Sequence, residues 1–80
     1  MVREYKAPGI DYWYPEDESG EYVIIYPGRI KRWYKDGKRH RIDGPAIEAK
    51  YNIYYYEGQR FSKIHSNKEW KEFLKLKFLW

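Results

Sequence analysis

The sequence contains no cysteine and no apolar run of membrane-spanning length. Without cysteine there can be no disulfide, iron–sulfur cluster, cysteine-ligated zinc or thiol nucleophile. Small secreted domains usually need disulfides, and residues 1–6 have no apolar leader character. We therefore expect a cytoplasmic protein with no membrane partner.

Aromatic residues compensate for the small size of the chain, because a few large rings can build a core. A chain of 80 residues buries only about 60–65% of its unfolded surface, so its core is thin. Aromatics are 21% of the residues, including ten Tyr and four Trp, and each can bury about 150–250 Å². The composition predicts one domain over residues 1–80, with most rings in the core or on a sheet face.

Charge is divided unevenly along the chain. Residues 1–28 hold two basic and six acidic residues, a net charge of −4, whereas residues 29–80 hold fourteen basic and six acidic residues, a net charge of +8. Such a dipolar chain favours oriented docking onto a charged partner, or head-to-tail self-association.

Residues 21–61 have the pattern of an antiparallel sheet. Glu21–Tyr26 is apolar on both alternating faces, which is typical of a central strand. Asp36-Gly37 has the chemistry of a type I′ hairpin turn, and Glu57-Gly58 gives a second turn. Another hairpin is expected around Tyr51-Asn52, between residues 46–50 and 53–56. The pattern predicts a meander of about five strands.

The two ends of the chain differ from this middle part. Residues 1–20 read as an irregular or edge segment, in which Tyr12, Trp13 and Tyr14 either pack on the sheet or contact a partner protein. Ser66 and Glu69 form a capping-box pattern, which predicts a helix over residues 66–78.

The predicted apolar face of this helix consists of Trp70, Phe73, Leu74 and Leu76. Trp80 ends an apolar tail that needs cover from the sheet or from a partner. The fold class is therefore predicted to be α+β, a small antiparallel hairpin sheet with one C-terminal helix.

A weak internal repeat marks the middle of the chain, because Tyr34–Gly37 recurs as Tyr55–Gly58. Residues 33–46 read W-Y-x-x-G-K-x-H-R-x-D-G-P-A and resemble the MORN-like repeat of small bacteriophage and bacterial proteins. The matching residues are Trp33, Tyr34, Gly37, Lys38, His40, Arg41, Asp43, Gly44, Pro45 and Ala46. The second copy departs from the pattern, since Phe61-Ser62 replaces His-Arg. The resemblance implies an antiparallel hairpin sheet and a phage or mobile-element origin. It does not imply a catalytic activity.

His40 and Asp43 could supply two members of a hydrolytic triad, but no serine has an evident place beside them. We interpret His40, Asp43, Gly44 and Pro45 as structural turn residues, with Arg41 helping to tie the turn to the neighbouring hairpin. Two histidines with scattered acids do not make a metal site, and no phosphate-binding glycine loop is present. No enzyme activity, cofactor or metal is expected.

A dense basic cluster is the stronger functional signal. Seven cations surround one indole within thirteen residues, the set being Arg29, Lys31, Arg32, Trp33, Lys35, Lys38, Arg39 and Arg41. Cations around a ring suit phosphate contacts with base stacking, an acidic protein surface, or simple solvation.

The sequence favours a small non-enzymatic binding protein, phage-encoded, that docks on a host protein and inhibits or modulates it, with anti-defence as one such role. The alternative is binding of nucleic acid or a nucleotide signal through the basic hairpin face. Self-assembly through strand edges or the Trp80 tail is a third interpretation.

Overall fold

Seven short strands precede one helix in the part of the chain that the structure, a computed structural model, describes: residues 2–9 and 13–78. The elements are β1 (Arg3–Lys6), β2 (Glu21–Tyr26), β3 (Ile30–Lys35), β4 (Lys38–Arg39), β5 (Ile47–Glu48), β6 (Tyr55–Tyr56), β7 (Gln59–Arg60) and α1 (Asn67–Phe78). The predicted α+β class, with about five strands in the sheet and one C-terminal helix, is confirmed.

The main sheet is built around β2. Its strand order is β1-β2-β3-β4, and β5 also pairs with β3. Tyr22, Val23 and Ile24 are all buried, as the apolar character of both faces of β2 predicts. Antiparallel pairing with β3 places Tyr22 opposite Tyr34, and their rings stack at 5.3 Å between centroids.

One pairing differs from the predicted meander, because β1 runs parallel to β2. A parallel pair needs a long connection between its strands, and the fourteen residues between Lys6 and Glu21 supply it. The sheet is therefore mixed and not purely antiparallel. The edge position of β1 agrees with the interpretation of residues 1–20 as an edge segment.

Both acidic-glycine turns have the geometry that their residues predict. Asp36 and Gly37 have φ values of 49° and 80°, and Glu57 and Gly58 have values of 45° and 88°. Two successive residues with positive φ define the type I′ turn, whose twist matches that of the flanking strands. The β3–β4 and β6–β7 hairpins follow from these two turns.

The free edge of β3 is divided between two short strands. β4 pairs with the end of β3, and β5 pairs with its beginning. Between them, the backbone of Trp33 accepts from the N–H of His40 at 3.1 Å and donates to the carbonyl of Ala46 at 2.7 Å. Residues 41–45, the excursion loop, leave the sheet at this point, where Pro45 has no N–H for a ladder.

The hairpin predicted around Tyr51-Asn52 is reduced to one bridge. Ile47 and Ile53 exchange backbone hydrogen bonds of 3.1 and 3.0 Å. Both residues of β5 also pair with β3, and Tyr55–Tyr56 pairs forward with β7. The predicted strand over residues 53–56 is therefore too long, because its two ends have different partners.

Aromatic side chains form two separate small cores. The first consists of Ala7, Tyr22, Ile24, Tyr26 and Tyr34 on one face of the main sheet, with Tyr5, Trp13 and Ile30 against them. The second joins the helix to the β6–β7 hairpin through Tyr54, Trp70 and Leu74, surrounded by Tyr56, Phe61, Ile64, Phe73 and Phe78. Trp70 is fully buried, so the helix is held mainly by one large ring.

The helix begins where the capping pattern predicts. Ser66 Oγ accepts from the N–H of Glu69 at 3.1 Å and donates to its carboxylate at 3.3 Å. The predicted apolar face is wrong at Leu76, which is 83% exposed. Leu76 lies about 200° around the helix from Leu74, on the opposite side. Phe78, one turn beyond Leu74, packs on the second core instead.

No helix in residues 2–9 and 13–78 is both long and apolar enough to cross a bilayer. The one helix of this part has twelve residues, whereas a span needs about 20.

Replacing Ser66 tests its role as the N-cap of the helix. Ser66→Ala should lower the free energy of unfolding by about 1 kcal/mol, because the N–H of Glu69 loses its acceptor. For a chain of this size the melting temperature should fall by about 4–8 °C. Thermal unfolding followed by circular dichroism measures it. Ser62→Ala, at an exposed position, is the control, and equal melting temperatures for the two variants would contradict the capping role.

Candidate functional site

Arg41 lies at the centre of the stretch 33–46. Its guanidinium carbon is 3.7 Å from the centroid of the Trp33 ring. Its Nη1 donates to the Glu48 carboxylate at 2.9 Å and to the Pro45 carbonyl at 3.3 Å. The side chain is 23% exposed. A cation stacked on an indole and paired with a carboxylate is held in one orientation.

The backbone of Arg41 connects the main sheet to the second core. Its N–H donates to the carbonyl of Tyr55 at 3.3 Å. Its carbonyl accepts from the indole N–H of Trp70 at 2.9 Å, so the buried ring of the helix satisfies its one polar group here. Arg41 therefore joins β3, the β6–β7 hairpin and the helix.

His40 also links the main sheet to the β6–β7 hairpin. It is 5% exposed, and its Nδ1 accepts from the N–H of Glu57 at 3.0 Å. Burial, and then the nearby Lys35 ammonium, lower the pKa of His40 from its ordinary value of 6.5. A neutral imidazole is the form that can accept this bond.

His40 and Asp43 form no hydrogen bond with each other. The hydrogen bond that the structure gives its side chain goes to the Glu57 backbone, and Asp43 is exposed. Gly44 and Pro45 are buried. A Cβ at Gly44 would lie 3.3 Å from the Arg41 guanidinium carbon and 3.5 Å from Asn67 Oδ1, so the excursion loop passes close to both.

Several cations of the basic cluster contact other side chains of the chain. Lys35 lies 3.6 Å from the Glu57 carboxylate, and Arg41 pairs with Glu48. The Arg32 guanidinium covers the Tyr26 ring at 4.9 Å. These contacts engage three of the seven cations within the chain.

The other members of the cluster differ in exposure. Arg29 and Lys38 are exposed, while Lys31 and Arg39 are half-buried. Trp33 is also half-buried, with one ring face covered by Arg41. The binding role of this set stays a prediction.

The N-terminal aromatic residues are only partly available for contact with a partner. Trp13 is half-buried, and its ring centroid is 6.1 Å from that of Tyr5. Tyr14 is 46% exposed and meets Tyr34 edge to face at 6.3 Å. The predicted contact residues Tyr12 and Trp80 lie outside the described residues.

An open groove that the sequence does not reveal lies between the end of β7 and the helix. Two adjoining hollows of about 340 and 400 Å³ form this groove, the loop groove, which is lined by Tyr51, Asn52, Ile53, Arg60, Phe61, Ser62, Lys63, Ile64, His65 and Phe73. Its apolar residues come from three separate segments with no common period. No sequence pattern could therefore have grouped them.

The apolar strip of the loop groove continues along the helix. Phe73 is half-buried and Leu76 is 83% exposed. Residues three apart are neighbours on a helix surface, so Leu76 extends the strip beyond Phe73. Tyr51, at the other end, is 73% exposed.

Metal-binding chemistry finds no support in residues 2–9 and 13–78. These residues contain no group of three or more His, Asp or Glu side chains arranged to hold a metal ion. A protein site for a transition metal or for calcium usually needs at least three such ligands.

Comparisons with known proteins identify no family for this chain. No protein-family model matches it, and neither the curated proteins nor the solved structures contain a significant match. The resemblance of residues 33–46 to the MORN-like repeat therefore stays a prediction.

Enlarging Gly44 tests the close approach of the excursion loop to Arg41. Gly44→Ala should lower the free energy of unfolding by about 1–3 kcal/mol, because the new methyl group must displace a guanidinium held by Trp33 and Glu48. Urea unfolding measures the change. Gly9→Ala is the matched control, since a Cβ there meets nothing within 4 Å. A Gly44→Ala protein as stable as the control would contradict the packing described.

The buried imidazole predicts a pH dependence of stability. Because the pKa of His40 is lower in the folded chain than its ordinary 6.5, the unfolded chain binds more protons below that value. Stability should be complete above pH 6.5 and should decrease as the pH falls through and below it. Urea midpoints measured between about pH 7.5 and pH 5.5 test this.

His40→Asn removes the titrating group and keeps an acceptor near the Nδ1 position. This variant should lose part of the slope of stability against pH, whereas His65→Gln, at an exposed position, should retain it. Identical slopes in the wild type and in His40→Asn would refute the assignment.

Proposed function

We propose that this chain is a small non-enzymatic binding protein that docks on a host protein through the loop groove and so inhibits or modulates it. The occupant is an acidic segment of the partner that carries apolar side chains. The observation that carries the proposal is an open apolar strip with cationic residues at its rim.

Apolar exposure along the groove supports a protein partner. Tyr51 and Leu76 are 73% and 83% exposed, and Phe61 and Phe73 are half-buried between them. Contiguous apolar surface of this kind on a small soluble domain marks an interaction site. Aromatic residues are also the anchors most often found at the energetic centre of protein interfaces.

Charge selects the partner. Arg60 and Lys63 line the groove, and Lys75 and Lys77 are exposed on the last turns of the neighbouring helix. These cations belong to the part of the chain with a net charge of +8. Complementary charge accelerates association and excludes wrong partners, so an acidic surface fits this groove best.

The arrangement of the cluster at residues 29–41 favours a protein over a nucleic acid strand as the macromolecular partner. A phosphate backbone is bound by many cations that are free to release counterions. Here Lys35 and Arg41 are paired with carboxylates, and Arg32 covers a tyrosine ring. The phage origin and the inhibitory role rest on the resemblance of residues 33–46 to the MORN-like repeat.

Groove variants test the proposal once a partner has been recovered from bacterial lysate and purified. Tyr51→Ser with Leu76→Ser should weaken binding by about tenfold or more, because exposed anchors are removed without emptying either core. Arg60→Glu with Lys63→Glu should slow association and reduce its dependence on salt. Surface plasmon resonance measures both rates.

Arg29→Glu is the control, since Arg29 is exposed and lies outside the groove. Groove variants that bind as tightly as this control would overturn the proposal. Recovery of a homodimer that Leu76→Ser dissociates in sedimentation experiments would also overturn it, and would assign the groove to a second copy of the chain.

A further inference from the structure

A second hollow lies between the tips of the two hairpins. This tyrosine cleft has a volume of about 220 Å³ and is lined by the side chains of Tyr14, Tyr34, Lys38, Arg39 and Tyr55 and by two turn glycines, Gly37 and Gly58. It shares no residue with the loop groove.

The walls of the cleft are fixed by backbone contacts. The N–H of Gly58 donates to the carbonyl of Arg39 at 2.7 Å, which holds the second hairpin turn against β4. A Cβ at Gly58 would lie 3.6 Å from Lys38 Cβ, so the turn also touches the stem of this lysine. Tyr34 stacks on Tyr22 of β2 at 5.3 Å. A ligand would enter a cleft that already has its shape.

Two polar side chains meet in this cleft. The Tyr34 hydroxyl is buried and lies beside the Arg39 guanidinium. Arg39 is half-buried and forms no ion pair with a carboxylate of residues 2–9 and 13–78. A half-buried guanidinium without a carboxylate partner is available to an anionic ligand.

The environment of Arg39 is one of hydroxyl groups and rings. Burial by itself would lower the pKa of this guanidinium, yet the nearby Tyr34 and Tyr55 hydroxyls raise it. Its Nη1 is 3.5 Å from the Tyr55 hydroxyl, and its guanidinium carbon is 5.5 Å from the centroid of that ring. Arg39 is therefore a charged group with no carboxylate partner within residues 2–9 and 13–78.

The two neighbouring carboxylates do not pair with Arg39. Glu18 lies at the edge of the cleft, where its Oε1 would be 3.9 Å from a Cβ at Gly37, and it accepts from the Tyr22 hydroxyl at 3.3 Å. Glu57 is next to Gly58 and pairs with Lys35. Neither carboxylate lines the cleft.

We infer that the tyrosine cleft binds a free nucleoside monophosphate. Arg39 and Lys38 bind its phosphate, the buried Tyr34 hydroxyl lies beside Arg39, and the base stacks on Tyr14. Arginine forms strong charge-assisted bonds to phosphate, and an aromatic ring stacks on any base. The ring of Tyr14 is 46% exposed, which leaves surface for this contact.

The size of the cleft favours a small enclosed group. Sites for drug-sized ligands have volumes of about 300–1,000 Å³, and a volume of about 220 Å³ is below that range. The cleft therefore encloses the phosphate, while the base lies on the exposed ring of Tyr14. This site is independent of the loop groove, so its failure would leave the protein-docking proposal unaffected.

Titration calorimetry of the full chain tests the inference. The ligands are the four common nucleoside monophosphates, the matching nucleosides and inorganic phosphate. Monophosphates should bind with an affinity that decreases as salt is added. Nucleosides and inorganic phosphate should each bind at least about tenfold more weakly, because each lacks one of the two contacts.

Two variants separate binding from folding. Arg39→Gln should reduce nucleotide affinity by about tenfold or more. Lys38→Gln should also weaken binding, because it removes the second phosphate contact, while the unliganded protein unfolds at the same urea concentration, since Lys38 is exposed. Lys75→Ala, on the exposed side of the helix, should change neither property.

Several results would overturn the inference. These are the absence of any heat at millimolar monophosphate, unchanged binding in Arg39→Gln, and nucleosides that bind as well as nucleotides. Binding of a single-stranded oligonucleotide without binding of monophosphates would also overturn it and would assign the cleft to nucleic acid.

Discussion

The Arg41 guanidinium stacked on Trp33 is the contact on which the two halves of this structure depend. Neither aromatic core is large. The first is built mainly on β1, β2 and β3, and the second mainly on β6, α1 and the residues between β7 and the helix. Arg41 bridges this gap with its side chain on the main sheet, its N–H on the carbonyl of Tyr55 and its carbonyl on the indole of Trp70. Its ion pair with Glu48 is half-exposed, so that pair alone contributes modestly. Arg41 is important because its contact with the Trp33 ring, its ion pair with Glu48 and its two backbone hydrogen bonds all require the same position of this residue.

This connection determines which surfaces remain for function. Two cations of the basic cluster, Lys35 and Arg41, form ion pairs with carboxylates of later segments. Two surfaces remain open, the loop groove and the tyrosine cleft. The loop groove is apolar with cations at its rim, and the tyrosine cleft is small and holds a guanidinium that has no carboxylate partner within residues 2–9 and 13–78. Gly37 and Gly58 of the two type I′ turns line the tyrosine cleft, whereas Phe61, Ile64 and Phe73 of the second core line the loop groove.

Local patterns in the sequence predict the parts of this fold that short-range chemistry determines. The Asp36-Gly37 turn, the Ser66 cap and the central position of β2 follow from residue types close together in the chain. The parallel pairing of β1 was not predicted, because a strand pattern does not specify its partner. Leu76 was assigned to the wrong face of the helix, although its angle from Leu74 could have placed it correctly. The loop groove could not be predicted, since Tyr51, Phe61 and Phe73 meet only through tertiary packing.

Hydrogen exchange in native conditions tests most directly whether Arg41 unites the two cores. In the wild type, amides at the centre of β2, such as Ile24, and in the helix, such as Leu74, should exchange with the same free energy, as expected for one cooperative unit. In Arg41→Met, which retains an apolar stem over Trp33, the helix amides should exchange faster while those of β2 change little. Equal protection of both sets in the variant, whether retained or lost together, would contradict the account.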